Sequence, residues 1–235
     1  MNIKRVSYLV IALVVVSSAL LFVKPYVTWR DGGERISGEV VVLPEPRLTG
    51  EMSVEEAIAR RRSIRSYRNE PLTLEQLSQL LWAAQGITDP RKYRSAPSAG
   101  ATYPFEVYVV VGNVEALEPG IYRYDPFNHT LTLVKRGDWR KALQKAALDQ
   151  SWVGRAAVDI VLVAFYRRTT SYYGERGVRY VHMEAGHIGQ NIYLQATALK
   201  LGTVAVGAFY DDQVAEIIGT EGVPLYIFPV GVAGG

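Results

Sequence analysis

The chain lacks cysteine, carries only three histidines and has almost no charge imbalance, and each shortage removes a class of function. Without thiols there is no disulfide, no cysteine-ligated zinc, no iron–sulfur cluster and no thiol nucleophile. The redox compartment stays open, because a thiol-free protein tolerates either side of a membrane. His129, His182 and His187 are too few for a histidine-rich metal centre, so no metal ligands are assigned. No dinucleotide GxGxxG follows a strand, and no phosphate-binding GxxxxGK[ST] exists in the chain. The net charge of +3 is accounted for by Lys4, Arg5 and Lys24 alone. A body with balanced charge excludes the basic footprint expected of a nucleic-acid partner.

What is present begins with an apolar appendage. Residues 6–23 (VSYLVIALVVVSSALLFV) hold no charge, and as a helix they reach about 27 Å, close to a bilayer's hydrocarbon thickness. Residues 1–27 are therefore read as a retained N-terminal membrane anchor. Lys4 and Arg5 before the span place the N-terminus in the cytoplasm and the body outside it. The rival is a signal peptide cleaved near Ser17-Ser18-Ala19, which gives a secreted protein. Residues 28–52, with Gly32-Gly33 and the X-Pro steps of LPEPR, read as an extended linker. Residues 53–235 form the single domain.

Within that domain two capping boxes announce helices, Ser53 with Glu56 and Thr73 with Gln76. The first helix should end near Ser63, and Gly86 should stop the second. Residues 105–112 (FEVYVVVG) and 158–166 (VDIVLVAFY) read as buried strands, with a hairpin between them across residues 125–129. Residues 139–148 read as helical. The longest helix is expected over 178–201, because Val181, Ala185, Ile188, Ile192, Ala196 and Leu199 recur at three- and four-residue steps. A strand at 203–206, a helix at 213–218 and a last strand at 225–230, interrupted by Pro229, complete the chain. The order predicts an α+β fold, with helices packed on a mixed sheet.

Few residues suggest chemistry. Arg60, Arg61, Arg62, Ser63 and Arg65 crowd a helix end, where they form either an anion clamp or a solvated basic face complementing the helix dipole. Residues 95–104 (SAPSAGATYP) make a small-residue loop that lets backbone approach a planar ligand, or simply an ordinary turn. Val206 and Gly207 lie between a strand and a helix, where an amide can face a ligand. His182 and His187 flank Glu184 in H-x-E-x-x-x-x-H, which is not the zinc-binding order, and read as packing or capping residues.

Taken in order, LPEPR (43–47), RRSIRSY (61–67), SAPSAGATYP (95–104), the run 172–191, VAVGAFYDD (204–212) and PLYIFPVG (224–231) resemble the FMN-dependent nitroreductase-like oxidoreductases. PSAGA together with RGVRYVHMEAGH is similar to the branch containing the azoline dehydrogenases of peptide modification. The resemblance implies a homodimer with two FMN sites at its interface and a small-molecule substrate. It implies that Arg61, Arg62 and Ser63 hold the FMN phosphate and ribityl chain, and that Arg65 lies by N1 and O2 of the ring. Pro97, Ser98, Ala99 and Ala101 of the other protomer line the ring edge, Gln150 faces the pyrimidine, and Val206 and Gly207 present backbone near N5. It further implies NADH or NADPH as electron donor and ping-pong hydride transfer through N5. The alternative is a membrane-tethered flavin-binding relay or sensor without turnover of its own.

Three departures stand out. The basic residue with which family members commonly end is missing, so Arg60 or another group must replace it. Ala101 stands where nitroreductases of the better-known branch carry asparagine. Tyr172-Tyr173 replaces the Lys-Tyr pair of azoline dehydrogenases, leaving Tyr173 as the candidate proton donor or acceptor.

Overall fold

The computed structural model describes residues 26–29 and 35–234, the first two strands by their backbone alone. Two units emerge, Met1–Val40 and Val41–Gly235. In the first, β1 (Tyr26–Trp29) pairs antiparallel with β2 (Arg35–Gly38), so part of the expected extended linker is a hairpin. The apolar run at 6–23 lies outside the described residues. Among the described residues no helix is long and apolar enough to cross a membrane.

A seven-stranded sheet organises the second unit, in the order β3-β6-β5-β4-β7-β9-β8. Its strands are β3 (Val40–Val42), β4 (Phe105–Val111), β5 (Gly120–Asp125), β6 (Thr130–Arg136), β7 (Val158–Ala164), β8 (Leu201–Thr203) and β9 (Val223–Val232). The fold is α+β as expected. The sheet is not the mixed one expected, because all five pairings from β6 through β8 run antiparallel. Alternation of strands with helices suggested parallel crossovers. Instead, the long excursion after β7 delivers β9 back beside β7 in the opposite direction.

Central β7 is buried on both faces along its whole length, which is why its sequence reads as an unbroken apolar run. Val158, Ile160 and Leu162 pack with α2 (Leu74–Gln85) and α5 (Arg176–Ala198) on one face. Val161 and Val163 pack with α3 (Arg140–Ala146) and α6 (Asp211–Ile218) on the other. The Thr73–Gln76 capping box closes as the sequence predicts, satisfying two otherwise orphaned amides at the start of α2. At α1 (Val54–Arg60) the Ser53 hydroxyl accepts from the Glu56 amide, and the helix ends at Arg60 rather than near Ser63.

β9 runs through Pro229 without interruption. The N–H and C=O of one strand residue point to the same side, and the Pro229 carbonyl points to the Tyr67 hydroxyl at 3.2 Å. That side is where β8 has already ended, at Thr203 opposite Val230, so no ladder donor is lost. One helix escaped the sequence. α4 (Arg167–Tyr173) is rich in Thr, Ser and Tyr, which form helices weakly, and Gly174 at φ +59° separates it from α5. Tertiary contact holds it, because the buried Thr169 hydroxyl bonds that of Thr102 at 2.8 Å.

Candidate functional site

The expected site residues gather in two groups. The first forms where the segment after α1 runs beside β8, joined by the Ile64 amide donating to the Thr203 carbonyl at 2.9 Å. Gly202 permits this approach, since a Cβ there would lie 2.7 Å from Ile64 Cγ2. Tyr193 of α5 is the hub. Its hydroxyl accepts from the Ala205 amide at 2.8 Å and bonds the Ser63 hydroxyl at 3.0 Å. The Arg61 guanidinium lies 5.0 Å from the Tyr193 ring centroid, and Arg65 lies 5.6 Å from that of Trp152. Among the described residues neither arginine has an acidic partner. Arg62, by contrast, turns back on the helix end and donates to the carbonyls of Ala59 and Arg61 at 3.1 and 2.7 Å.

Gln150 joins this group across the chain. Its amide donates to the Ala147 carbonyl at 2.9 Å and the Ala208 carbonyl at 2.8 Å. Both N–H groups are thereby spent, and its carbonyl oxygen is left to accept from a ligand. Val206 is buried and bridged to Ile227, while Gly207 beside it is exposed and rests on Tyr226. Arg61, Ser63, Arg65, Gln150, Val206 and Gly207 therefore surround one end of β8. The buried Trp152 Nε1 and Thr203 Oγ1 there have no protein partner. Two unpaired guanidinium groups, a hydroxyl and open glycine backbone form a donor set matched to a phosphorylated, planar ligand.

The second group is the loop of Pro97, Ser98, Ala99 and Ala101, set against α4 and the N-terminal half of α5. His187 Nδ1 stands 3.3 Å from the Pro97 carbonyl, and the Ser98 hydroxyl accepts from the Tyr103 amide at 2.9 Å. Gly100 adopts φ +59°, and a Cβ added there would lie 2.6 Å from the Tyr173 hydroxyl. Tyr173 thus lies flush against the loop, edge-on to both Tyr172 and Tyr180. This group is anchored to α5 at residue 187, the first at residue 193.

Both histidines are exposed and pack against other segments, His182 edge-on to Tyr166 with its hydroxyl at 2.6 Å and His187 against the Pro97 carbonyl. Sequence reasoning missed Tyr193, Trp152 and Glu184. Glu184 is 2% exposed on the buried face of α5, and burial pushes its carboxyl up to about 7 against the stabilising pull of Ser98, Arg94 and Gln85. A charged residue inside the stripe running from Val181 to Ile188 was the available signal.

Residues 58–232 match the Nitroreductase family, and the chain belongs to that family, whose members are in general flavin-dependent oxidoreductases. It is 48% identical to the candidate nitroreductase MJ1384 of Methanocaldococcus jannaschii over 77% of this chain and 91% of that one. It is 26% identical to the microcin B17-processing protein McbC of Escherichia coli, over 64% of this chain and 57% of that one. The crystal structure of a candidate nitroreductase from Ralstonia eutropha matches with TM-score 0.72 and 33% identity, over 83% of this chain and 90% of that one. The NADPH:FMN oxidoreductase of Vibrio harveyi shares the fold at TM-score 0.57 and 20% identity, over 77% and 69% of the two chains.

Proposed function

We propose that this protein is an FMN-dependent oxidoreductase acting as a homodimer, with each flavin held between the first residue group of one protomer and the 97–101 loop of its partner. The observation that carries this reading is the convergence of unpaired Arg61 and Arg65 with Ser63, Gln150 and Gly207 at the end of β8. Kinship with a flavin-dependent family supports it, as does the fold shared with an NADPH:FMN oxidoreductase. FMN bound there would supply two-electron chemistry, with NADH or NADPH as the donor and a small molecule as the acceptor.

The chain's own residues bind and orient. Arg61 and Ser63 would hold phosphate and ribityl oxygens, and Arg62 would join them by releasing the Ala59 and Arg61 carbonyls to which its guanidinium donates. Arg65 supplies positive charge beside the pyrimidine end of the ring, which favours electron uptake. Gln150, its N–H groups already engaged, accepts a hydrogen bond there. Gly207 would bring open backbone to the reacting face, whereas the amide and carbonyl of Val206, expected to share that role, are both spent on Ile227. Pro97, Ser98, Ala99 and Ala101 of the partner close the other edge, with Tyr173 next to them as proton donor or acceptor.

The uncharged run at 6–23 supports tethering this oxidoreductase to a membrane, with the body extracytoplasmic. Fractionation of the full chain tests that placement, and a soluble, shortened product would favour signal cleavage. For the reaction, the test is anaerobic addition of NADH or NADPH to the purified protein after incubation with FMN. Bleaching of the flavin band supports the enzyme. A bound flavin that neither donor reduces would favour a relay without turnover, and a colourless protein that takes up no FMN would sink both.

A further inference from the structure

The loop of residues 95–103 is held in a backbone path that costs free energy. Gly100 at φ +59°, Ala101 at φ +52° and Tyr103 at φ +44° all lie in the left-handed region, and two of the three carry a Cβ. Each such non-glycine residue is disfavoured there and persists only where surrounding contacts over-determine it. Those contacts converge on Arg94. Its amide donates to the Tyr103 hydroxyl at 3.2 Å, its guanidinium lies 4.5 Å from the Tyr103 ring centroid, and it donates to Gln85 Oε1 at 2.7 Å. Three buried polar atoms in this cluster lack a protein partner, namely Arg94 Nε, Gln85 Nε2 and Glu184 Oε1.

We propose that Glu184 is a positioning residue for this loop: its carboxyl, buried among Ser98, Arg94 and Gln85, sets how firmly residues 95–103 keep their strained path. The inference rests on the proposed function only for what the loop holds. Its charged surroundings are few. Arg94, just before the loop, faces the carboxyl and is itself faced by Tyr103 of the loop, Arg168 of α4 and Tyr124 of β5, and α2 contributes only the neutral Gln85. On α5 itself His187 is the nearby titratable group, and it touches the loop through Pro97.

The sign follows from linkage. The closed loop keeps Glu184 out of water and holds its proton up to about pH 7, whereas a solvated glutamate loses it near 4.5. Opening therefore releases a proton, and rising pH favours opening until the closed form is itself ionised.

Hydrogen exchange of the 95–103 amides in the full-length, flavin-free protein, corrected for intrinsic rates, reads this directly. The opening constant should rise up to about tenfold per pH unit between about 5 and 7 and level off above 7. Glu184→Gln should give a flat profile, and His187→Gln should keep the slope. A flat wild-type profile, a Glu184→Gln profile that tracks the wild type, or a slope lost with His187→Gln would each overturn the proposal. Should Glu184→Gln fail to fold, the wild-type plateau and the His187→Gln profile still decide it. The two proposals separate cleanly. A pH-responsive loop in a protein that takes up no FMN refutes the flavin site and spares Glu184, and a flavin-binding protein with a pH-flat loop does the reverse.

Discussion

Replacing Tyr193 with phenylalanine removes one oxygen and tests whether the first residue group is built as described. The ring stays, so its edge-on contact with Phe228 and the stacking of Arg61 are kept. What is lost is the acceptor for the Ala205 amide at 2.8 Å and the tie to Ser63 at 3.0 Å. A part-buried amide left without an acceptor costs about 1–3 kcal/mol, and solvent access around half-exposed Ala205 argues for the lower half. Urea denaturation of the flavin-free protein should therefore show a loss of about 1–2 kcal/mol with unchanged m-value. FMN affinity, read by quenching of flavin fluorescence, should fall separately by about three- to thirtyfold, because Ser63 and the 205–207 backbone lose their common anchor. Full wild-type stability and affinity in Tyr193→Phe would refute the role of Tyr193 as the hub of this site.

Further substitutions probe the rest. Arg61→Ala combined with Arg65→Ala should weaken FMN retention, each lost charge-assisted contact costing on the order of 1.5–3 kcal/mol, and equilibrium dialysis checks it. Gly100→Ala forces a Cβ towards the Tyr173 hydroxyl at a left-handed position and should destabilise the protein by at least about 1 kcal/mol in a thermal melt. Asp159 is fully buried, neither of its oxygens has a partner, and burial holds its carboxyl well above the ordinary carboxylate range. The stability its neutral form carries is present at low pH and is lost as pH rises towards that raised value, at up to about 1.4 kcal/mol per unit. Asp159→Asn should flatten this part of the stability–pH curve, measured by urea titrations from pH 4 to 8.

Elements whose information is local were legible in the sequence. The capping box at Thr73, the β-branched runs of β4 and β7 and the apolar stripe of α5 all fold where their patterns place them. Strand direction was not legible, because a buried apolar run looks the same in parallel and antiparallel sheets. α4 escaped for a related reason: its hold on Thr102 is tertiary, and its composition argues against a helix. For the site, resemblance to a family pointed to Arg61, Ser63, Arg65, Gln150 and Gly207 without saying what would gather them. Tyr193 and Trp152 do part of that work. They resemble core aromatics in any single-sequence reading, since the tie from Tyr193 to Ser63 spans 130 positions of chain. Glu184 left a trace, a carboxylate in an apolar stripe, which spacing alone did not interpret.

Complementation between two impaired forms examines the shared flavin site most directly. One form carries Arg61→Ala with Arg65→Ala, the other Ala101→Trp, and neither alone should retain FMN. Random re-pairing makes about half of the dimers mixed, each with one intact site, so FMN should return to about one quarter of all sites. Binding that stays absent after verified exchange, or that never depended on either substitution, would contradict a flavin pocket assembled from both copies.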